Sequence, residues 1–379
     1  MFRVEEFNDV RTLAALRREW RRLHEQTAGA SVFQTLEWLE IYWRHFQGNQ
    51  QLRVLVVRNA SEAVGIVPLV VRDIHTRLGT LRYLTYPLDD WGSTFGPVGP
   101  RPVETLQAAI QYVARTKRTW DVLEPRWVAA EDAAAMSEAT RAAGLASVER
   151  LWLSSPAIRF HGTFPDYLAG QTSHWRNNYK RNERKLAEMG DVRYVRHRPA
   201  SEAHGDGDPN WELYDHCQEI ARSSWQAGSQ DGTTISHEAV RGFLRDAHEA
   251  AARLGMVDLS VLYVGGRPAA FWYCYHCRGS LFGLRTGYDG GAGFQRAGTV
   301  LTGRLVEDSF RRADTLFDMG PGSTEWKRFW QTGERTTYRH THFSRRAVRA
   351  QALRMSHAAR AYGARLKSLS KTAAVSAST

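Results

Sequence analysis

The sequence predicts an α/β (α+β) fold built from two similar halves, each a mixed, mainly antiparallel sheet flanked by helices. Helical periodicity alternates with β-branched runs along the chain, and the order helix, hairpin, strand, loop, helix occurs twice. A hydrophobic content of 42% with 24% charged residues is typical of a globular protein with ample core. We predict a first domain at residues 1–155, a second at 156–345 and a basic tail, helical or disordered, at 346–379.

The first half begins with two predicted helices. DVRTLAALRREWRRLHEQT has Leu13, Leu16, Trp20 and Leu23 at helical spacing, and TLEWLEIYWRHF is a second helix rich in aromatic residues. The runs LRVLVVRN and EAVGIVPLVVRD predict a hairpin, and TLRYLTYP predicts a third strand. The loop STFGPVGPRP, rich in proline and glycine, then leads into the helix VETLQAAIQYVARTK.

Two acidic residues, Asp89 and Asp90, lie just before this loop. Two interpretations of the pair remain open. In one, Asp89 and Asp90 hydrogen-bond a sugar or amine acceptor. In the other, the pair caps the turn, as aspartate side chains commonly do.

The second half repeats the order after a predicted divider at residues 154–167. EAVRGFLRDAHEAAARLG predicts a helix, VDLSVLYVGG and RPAAFWYCYHCRG a hairpin, and SLFGLRTGYDGG a further strand. The loop GAGFQRAG precedes the helix TVLTGRLVEDSFRR. TLFDMG and TTYRHTHF predict two more strands, with the short helix TEWKRFWQ between them.

The junction of strand, glycine-rich loop and helix in the second half predicts a phosphate site. Such a junction presents unpaired backbone N–H groups and the positive end of a helix dipole. Its residues partly match the pattern Q/R-x-x-G-x-G/A, although Val300 stands where the last small residue belongs. The loop resembles the pyrophosphate loop of GNAT acyltransferases. The alternative is an ordinary glycine-rich connection.

The order of these elements resembles one branch of that superfamily. Three stretches, taken together with this order, are similar to the CelD-like acetyltransferases of cellulose biosynthesis: WRNNYKRNERKL, FDMGPGSTEWKRFW and FQTLEWLEIYWRHF. The CelD-like family is related in shape to the FemABX peptidyltransferases. The resemblance covers about residues 1–345. It implies tandem GNAT-like domains and transfer of an acyl group from acetyl-CoA or another acyl-CoA to an amine or hydroxyl. It also implies a saccharide or envelope-polysaccharide precursor as acceptor.

The resemblance implies positions for the donor. A backbone N–H on the central strand, near Leu284 and Thr286, would polarise the acyl carbonyl. The CoA pyrophosphate would lie on backbone amides of the loop, at Gln295, Arg296, Ala297, Gly298 and Thr299. The corresponding first-half loop is FGPVGPRP, whose prolines lack N–H donors. We therefore expect the first domain to shape the acceptor site and to bind no CoA.

Three residues are candidates for catalysis. By the resemblance, Lys327 in GSTEWKRFWQ stabilises the developing oxyanion or contacts the acceptor. The alternative is a surface lysine on a helix whose aromatic residues pack inward. Asp318 and Tyr288 are candidate general bases, because acid–base catalysis needs a titratable group near the nucleophile. The alternative for each is a structural role.

The stretch HWRNNYKRNERKLAEMG predicts a basic helix at the start of the second half. Arg176 and Lys180 are four residues apart and share a face, and Trp175 and Tyr179 lie beside it. We expect these four residues to bind a phosphorylated small-molecule acceptor or the CoA phosphates. The alternatives are a solvated charged face and, in third place, a nucleic-acid contact.

The net charge of +11 does not favour a nucleic-acid partner. Eight of the 51 basic residues follow Ser344, where there is no acidic residue, and the preceding part carries 43 basic and 40 acidic residues. The sequence therefore predicts no DNA partner and does not favour tRNA. The tail either contacts an anionic membrane surface or forms a solvated terminal helix.

The three cysteines predict neither a disulfide framework nor a metal site. Cys274 and Cys277 are three residues apart on a predicted strand, so they point to opposite faces. Few cysteines and an N-terminus without an apolar run predict a cytoplasmic protein, with peripheral membrane contact as the alternative.

Two further functions remain as alternatives. One is a FemABX-like aminoacyl or peptidyl transfer from aminoacyl-tRNA. The other is a non-catalytic accessory protein of polysaccharide biosynthesis that keeps the fold and has lost the chemistry.

Overall fold

Thirteen strands pair into one mixed sheet in the computed structural model, which describes residues 2–87, 91–224, 234–291, 293–322 and 324–360. Helices cover both faces of this sheet. The fold is α/β with a large mixed sheet, as the alternation of helical and β-branched segments predicts.

The first half supplies seven strands and four α-helices within the described residues. In chain order they are β1 (Phe2–Phe7), α1 (Arg17–Gln26), α2 (Leu36–Phe46), β2 (Gln51–Asn59), β3 (Glu62–Thr76), β4 (Gly79–Thr85), α3 (Pro102–Arg115), β5 (Val122–Leu123), β6 (Val128–Ala129), α4 (Ala130–Ala142) and β7 (Val148–Arg159). Short 3-10 helices precede α1 and α2.

The second half supplies the other six strands. Its elements are α5 (Phe164–Ala169), α6 (Ser173–Ala187), β8 (Val192–His197), α7 (Trp211–Ser223), α8 (Glu238–Arg253), β9 (Val257–Val264), β10 (Arg267–Cys277), β11 (Ser280–Tyr288), α9 (Ala297–Arg311), β12 (Leu316–Asp318), α10 (Thr324–Arg328) and β13 (Gly333–Phe343). Residues 348–360 form a helix, α11, in the predicted tail.

The two halves exchange their last strands. The strand order is β1-β2-β3-β4-β5-β13-β7-β12-β11-β10-β9-β8. In each half, two strands separated by a helix run parallel, β4 with β5 and β11 with β12. The next strand in space comes from the other half, because β13 pairs with β5 and β7 pairs with β12. The exchanged strands β7 and β13 pair with each other and join the halves.

Strand β7 passes through the predicted divider. The stretch SSPAIR suggests a turn by composition, but Ser154 to Arg159 are the end of β7. Pro156 lacks an N–H and still fits, because its carbonyl oxygen accepts a hydrogen bond from Met319 N at 3.0 Å. The predicted domain boundary at residue 155 therefore falls inside a strand that pairs with both neighbours.

Apolar cores on the two faces fix the helices around the site. Along β10, Tyr273 and Tyr275 face the core shared with α2, α7 and α8, and Trp272 and Cys274 face the core under α6 and α9. The first core crosses between the halves. Trp38 on α2 packs edge-on against the Phe243 ring of α8 at 5.3 Å.

Candidate functional site

The parallel strands β11 and β12 separate after a short pairing. Ser280–Phe282 pairs with Leu316–Asp318, and β12 then ends while β11 continues to Tyr288. No described strand pairs with this edge of β11 beyond Phe282. We call this opening the crevice, bounded by residues 283–288 of β11 and by residues 318–321, which are the end of β12 and the turn that follows it.

Two glycines allow the backbones to meet at the bottom of the crevice. Gly320 has a φ of +73°, and a Cβ there would lie 2.5 Å from the Gly283 carbonyl oxygen. A Cβ at Gly283 would lie 3.1 Å from the Asp318 carbonyl oxygen. Any larger residue at either position would push β11 and the turn after β12 apart.

A β-bulge lies where the crevice opens. Tyr273 is opposite Arg285 and Cys274 is opposite Gly283, so Leu284 has no residue across from it. Bulges bend a strand and change the direction of its backbone groups. The predicted donor positions Leu284 and Thr286 therefore lie on the crevice strand, with the Thr286 hydroxyl donating to Phe271 O at 2.8 Å.

Helix α9 begins beside the end of the crevice strand. Among the described residues, the N–H groups of Gly298 and Thr299 have no hydrogen-bond acceptor. The N–H of Ala297 donates to Phe294 O at 2.9 Å, and the place of Ala297 in the pyrophosphate site stays a prediction. Gln295 and Arg296 are exposed at the helix start.

The Tyr288 ring lies against this helix terminus. A Cβ at Gly298 would sit 3.6 Å from Tyr288 Cδ1, an ordinary van der Waals contact. The structure thus places Tyr288 beside the predicted pyrophosphate site. Its predicted role as a general base stays a prediction.

Lys327 spans the turn that closes the crevice. Its Nζ donates to the carbonyl oxygens of Gly320 at 2.9 Å and Pro321 at 3.0 Å, and the side chain is 6% exposed. Burial lowers the pKa of Lys327 to about 8, with Asp318 opposing this shift and Arg285 adding to it. The described residues offer no acceptor for the third N–H of the ammonium group.

Asp318 is the centre of a buried hydrogen-bond network. Its Oδ1 accepts from Ser155 Oγ at 2.6 Å and from Gly320 N at 2.9 Å, and its Oδ2 lies 3.5 Å from Arg335 Nη1. These partners fix the turn after β12, whose carbonyl oxygens accept from Lys327. Asp318 therefore has a structural role in stabilising the turn beside the crevice. Its predicted role as a base stays a prediction.

The first half reaches the crevice through the loop before α3. Trp91, which is 6% exposed, stacks under the Arg285 guanidinium at 4.2 Å. The next residues, 93–99, are buried, and Val98 pairs with Ile66 of β3 through two backbone hydrogen bonds of 2.8 Å. This loop is thus a wall of the site. The neighbouring candidate Asp90 lies outside the described residues.

A cavity of about 510 Å³ lies between the halves, behind Phe282 of β11. One wall is the first turn of α4, with Glu131 and Asp132, and another carries Arg159 of β7 and Arg335 of β13. Arg335 also contacts Asp318, so the cavity adjoins the network of the crevice. Its position suits an acceptor approaching the crevice from the side of the first half.

Asp132 is an ionisable group without a partner in this cavity. No described residue hydrogen-bonds its carboxylate. Burial raises the pKa of Asp132 above its usual value, and Glu131 adds to the shift. A carboxylate with a raised pKa in a cleft is a common feature of functional sites.

Three of the four predicted substrate residues on the basic helix α6 make contacts within the protein. Trp175 and Tyr179 are buried, and Trp175 Nε1 donates to Phe329 O at 2.7 Å. A Cβ at Gly303 of α9 would overlap the Tyr179 ring, so the two helices touch there. Both rings are thus packed inside the protein, and the role of Trp175 and Tyr179 in substrate binding stays a prediction.

The charged residues of α6 differ in their surroundings. Arg176 Nη1 donates to the carbonyl oxygens of Leu168 at 3.3 Å and Ala169 at 3.2 Å, at the end of α5. Lys180 is exposed and has no ion pair within the described residues. Of the four predicted substrate residues on this helix, Lys180 is the one whose side chain is exposed and unpaired within the described part of the chain.

Sequence reasoning missed Asp132, Arg335, Ser155 and Trp91. Asp132 follows Glu131 at the start of an alanine-rich helix, where acidic residues are common because they favour the helix dipole. Ser155 and Arg335 reach the crevice through the exchanged strands. The tryptophan beside Asp90 was the one available signal, since it adjoins a loop already predicted to shape the acceptor site.

The described residues contain no group of three metal-ligating side chains, and no described helix is long and apolar enough to cross a bilayer. Cys274 and Cys277 are both buried.

One family model matches most of the second half. Residues 173–328, from α6 to the end of α10, match the model of a family described as an acetyltransferase (GNAT) domain. The match contains the crevice strand, the start of α9 and Lys327. No curated protein sequence matches the chain.

Solved structures resemble the whole arrangement. FemX is 10% identical, over 88% of this chain and 96% of that chain, with a TM-score of 0.54. The C-terminal domain of a putative lysylphosphatidylglycerol synthetase from Agrobacterium fabrum is 11% identical, over 90% and 95%, with a TM-score of 0.56. L-PGS from Bacillus licheniformis is 13% identical, over 89% and 94%, with a TM-score of 0.52. At these identities the likeness shows the fold, and the predicted fold class is confirmed. The CelD-like relationship stays a prediction.

Proposed function

We propose that this chain is an acyltransferase that moves an acetyl or other acyl group from acyl-CoA to an amine on an acceptor held between its two halves. One observation carries the proposal: the crevice between β11 and β12 opens beside the N-terminus of α9, where the amides of Gly298 and Thr299 have no acceptor among the described residues. The GNAT match of residues 173–328 supports the same reaction class.

The start of α9 suits a pyrophosphate. Unpaired N–H groups and the helix dipole both favour a negative group at that point. Val300, which departs from the family pattern, is 1% exposed in the core under α9. Its side chain therefore points away from the amides of Gly298 and Thr299. These two N–H groups remain available to a ligand within the described residues, although the loop matches the family pattern only in part.

The crevice suits the acyl carbonyl. Acyl-CoA supplies a thioester whose carbonyl an amine can attack. The bulge at Leu284 turns β11 backbone groups at the edge of the crevice, where an N–H stabilises negative charge on oxygen. The third N–H of Lys327 gives a second donor for the same charge. The carbonyl oxygens of Gly320 and Pro321 accept two hydrogen bonds from that ammonium group, and the charge of Asp318 attracts it. The third N–H stays available for the oxyanion.

The cavity between the halves suits an acceptor that carries an amine. Asp132 can bind a protonated amine and accept its proton before attack, because its carboxylate has no partner in the described residues. Arg159 and Arg335 on the other wall suit a phosphate or carboxylate on the same molecule. By the family resemblance, we propose an amine-bearing saccharide or envelope-polysaccharide precursor.

Transfer from aminoacyl-tRNA is the alternative donor chemistry. The part of the chain before Arg345 carries 43 basic and 40 acidic residues, a balance that does not favour binding a polyanion of that size. FemX shares the fold with this chain at 10% identity, so it leaves the donor open.

Calorimetric titration of the protein with acetyl-CoA and with free CoA tests the proposal. Binding of either, followed by thiol release in the presence of amine acceptors, is the expected result. No heat with both ligands would remove the acyl-CoA donor. Binding of aminoacyl-tRNA instead would establish the alternative.

A further inference from the structure

A second cavity, which shares no lining residue with the cavity between the halves, has a strongly basic wall. It measures about 660 Å³ and lies where the end of α3, the loop after α4 and the end of β13 meet. We call it the basic cavity. Its basic side chains are Arg115, Lys117, Arg118, Arg345 and Arg346. None of its lining residues is acidic.

The positive charges of the basic cavity are not neutralised within the protein. None of its five cations has an acidic partner within 4.0 Å in the described part of the chain. Asp121 lies near Arg118 but is held by Arg82, with Arg82 Nη2 at 3.2 Å from Asp121 Oδ1. Five cations gathered without an anion repel one another, so a bound anion would stabilise this arrangement.

Two buried hydrogen-bond donors in the wall of the basic cavity also favour a negatively charged ligand. Trp120 lines the cavity and is 2% exposed, and its Nε1–H has no acceptor in the described residues. Arg118 Nη1 is likewise buried without an acceptor. Buried donors without partners are rare in proteins because each loses its hydrogen bond to water without gaining another. An anionic oxygen supplies the acceptor that both lack.

The tail helix holds two of the cations in position. Gln351 Nε2 donates to the carbonyl oxygens of Phe343 and Ser344, both at 3.0 Å. Ala350 and Leu353 of α11 are buried against β4 and β5. Arg345 and Arg346 therefore occupy a turn anchored on both sides.

We infer that the basic cavity binds a phosphate group of an anionic ligand. Arginine and lysine donors together with indole and guanidinium N–H groups match the several acceptor oxygens of phosphate. The phosphate belongs either to a lipid headgroup or to a soluble molecule. Two apolar side chains on the adjoining α11, Val348 at 83% and Met355 at 64% exposed, are consistent with a lipid surface.

Two binding measurements test this inference on the full chain. One is calorimetric titration with inorganic pyrophosphate. The other is flotation with vesicles of phosphatidylcholine, with and without phosphatidylglycerol. Arg345→Glu/Arg346→Glu reverses two exposed charges, and Arg18→Glu/Lys185→Glu is the matched control, since both of its residues are exposed and lack ion pairs among the described residues.

The inference predicts binding in at least one measurement, weakened about tenfold or more by Arg345→Glu/Arg346→Glu and unchanged by the control, because reversed charges repel phosphate. Trp120→Phe, which removes the indole N–H, should also weaken this binding, because the phosphate loses one donor. Pyrophosphate binding identifies a soluble source, and binding only to phosphatidylglycerol vesicles identifies a lipid. Binding must persist in Gly298→Glu, which separates this site from the proposed CoA site. Absence of both bindings, or equal loss in the control, would overturn the inference.

Discussion

Lys327 on α10 donates a hydrogen bond of 2.9 Å to the carbonyl oxygen of Gly320, the residue that touches β11 at the bottom of the crevice. This contact ties the only described lysine of the site to the turn after β12. The buried ammonium group keeps one donor free among the described residues and has a pKa lowered to about 8.

Lys327 should impose an alkaline limit on activity. In the proposed mechanism the charged side chain stabilises the oxyanion below pH 8 and is neutral above that pH, so kcat should fall as pH rises through about 8. Lys327→Met should lower kcat about 100-fold and leave CoA affinity nearly unchanged. In Lys327→Arg, which stays charged, the alkaline limb near pH 8 should disappear from the pH–rate profile. An unchanged rate in Lys327→Met would remove this residue from the mechanism.

Asp132 should control use of the acceptor. Asp132→Asn removes the carboxylate that receives the amine, so kcat/KM for the acceptor should fall about 100-fold while CoA binding persists. In the unsubstituted protein, the acidic limb of the profile should lie above the ordinary range of an aspartate, because burial raises this pKa. Glu138→Gln, on the exposed side of the same helix, is the control. Equal kinetics in Asp132→Asn and the control would contradict the assignment.

Arg176 should affect stability and Lys180 should not. Arg176→Ala leaves carbonyl oxygens at the end of α5 without their charged donor, which should cost about 1–3 kcal/mol in the free energy of unfolding. Lys180→Ala should change it by less than about 0.5 kcal/mol, since Lys180 is exposed. Urea denaturation measures both. The reverse order would mean that α6 does not hold α5 in this way.

A buried ion network under β9 should dominate acid stability. Asp258 is fully buried and accepts from Arg196 Nε at 3.0 Å and Arg198 Nε at 2.6 Å. Asp258→Asn leaves two buried cations with less negative charge, so stability should fall by about 3–5 kcal/mol in urea unfolding. Asp73→Asn, at an exposed position of β3, should change stability little.

The same network sets a direction for pH dependence. Burial opposes ionisation of Asp258, but Arg196 and Arg198 prevail and hold its pKa below the usual value. The folded state therefore binds this proton less readily than the unfolded state does. The resulting stability is present above the unfolded pKa near 4 and is lost as pH falls through the folded value. A loss of stability in Asp258→Asn equal at pH 7 and pH 2 would contradict this.

Local patterns in the sequence predicted most of the fold. The hairpin of β9 and β10 and the start of α9 follow from β-branched runs and a glycine-rich loop. The exchange of β7 and β13 was not predictable in this way, because it depends on pairing between residues about 180 positions apart, such as Ser155 and Arg335. Composition makes Pro156 look like a turn, whereas its backbone fits a strand.

The candidate site divides along the same line. Lys327 and Gly298 belong to local motifs and were found in the sequence. Asp132 reaches the cavity because α4 packs across β13 and brings its first turn there. The contacts of the basic helix α6 were not predictable for a related reason. Its charges are visible in the sequence, but the carbonyl oxygens that accept from Arg176 belong to α5.

The most direct test of the account is calorimetric titration of CoA into Gly298→Glu and Gly298→Ala. Among the described residues, a Cβ at this position meets Tyr288 Cδ1 at the ordinary contact distance of 3.6 Å, so alanine fits and should preserve binding. Glutamate places a carboxylate beside the amides proposed to hold the pyrophosphate and should abolish binding. Equal CoA affinity in the two variants would contradict the claim that the N-terminus of α9 holds the acyl donor.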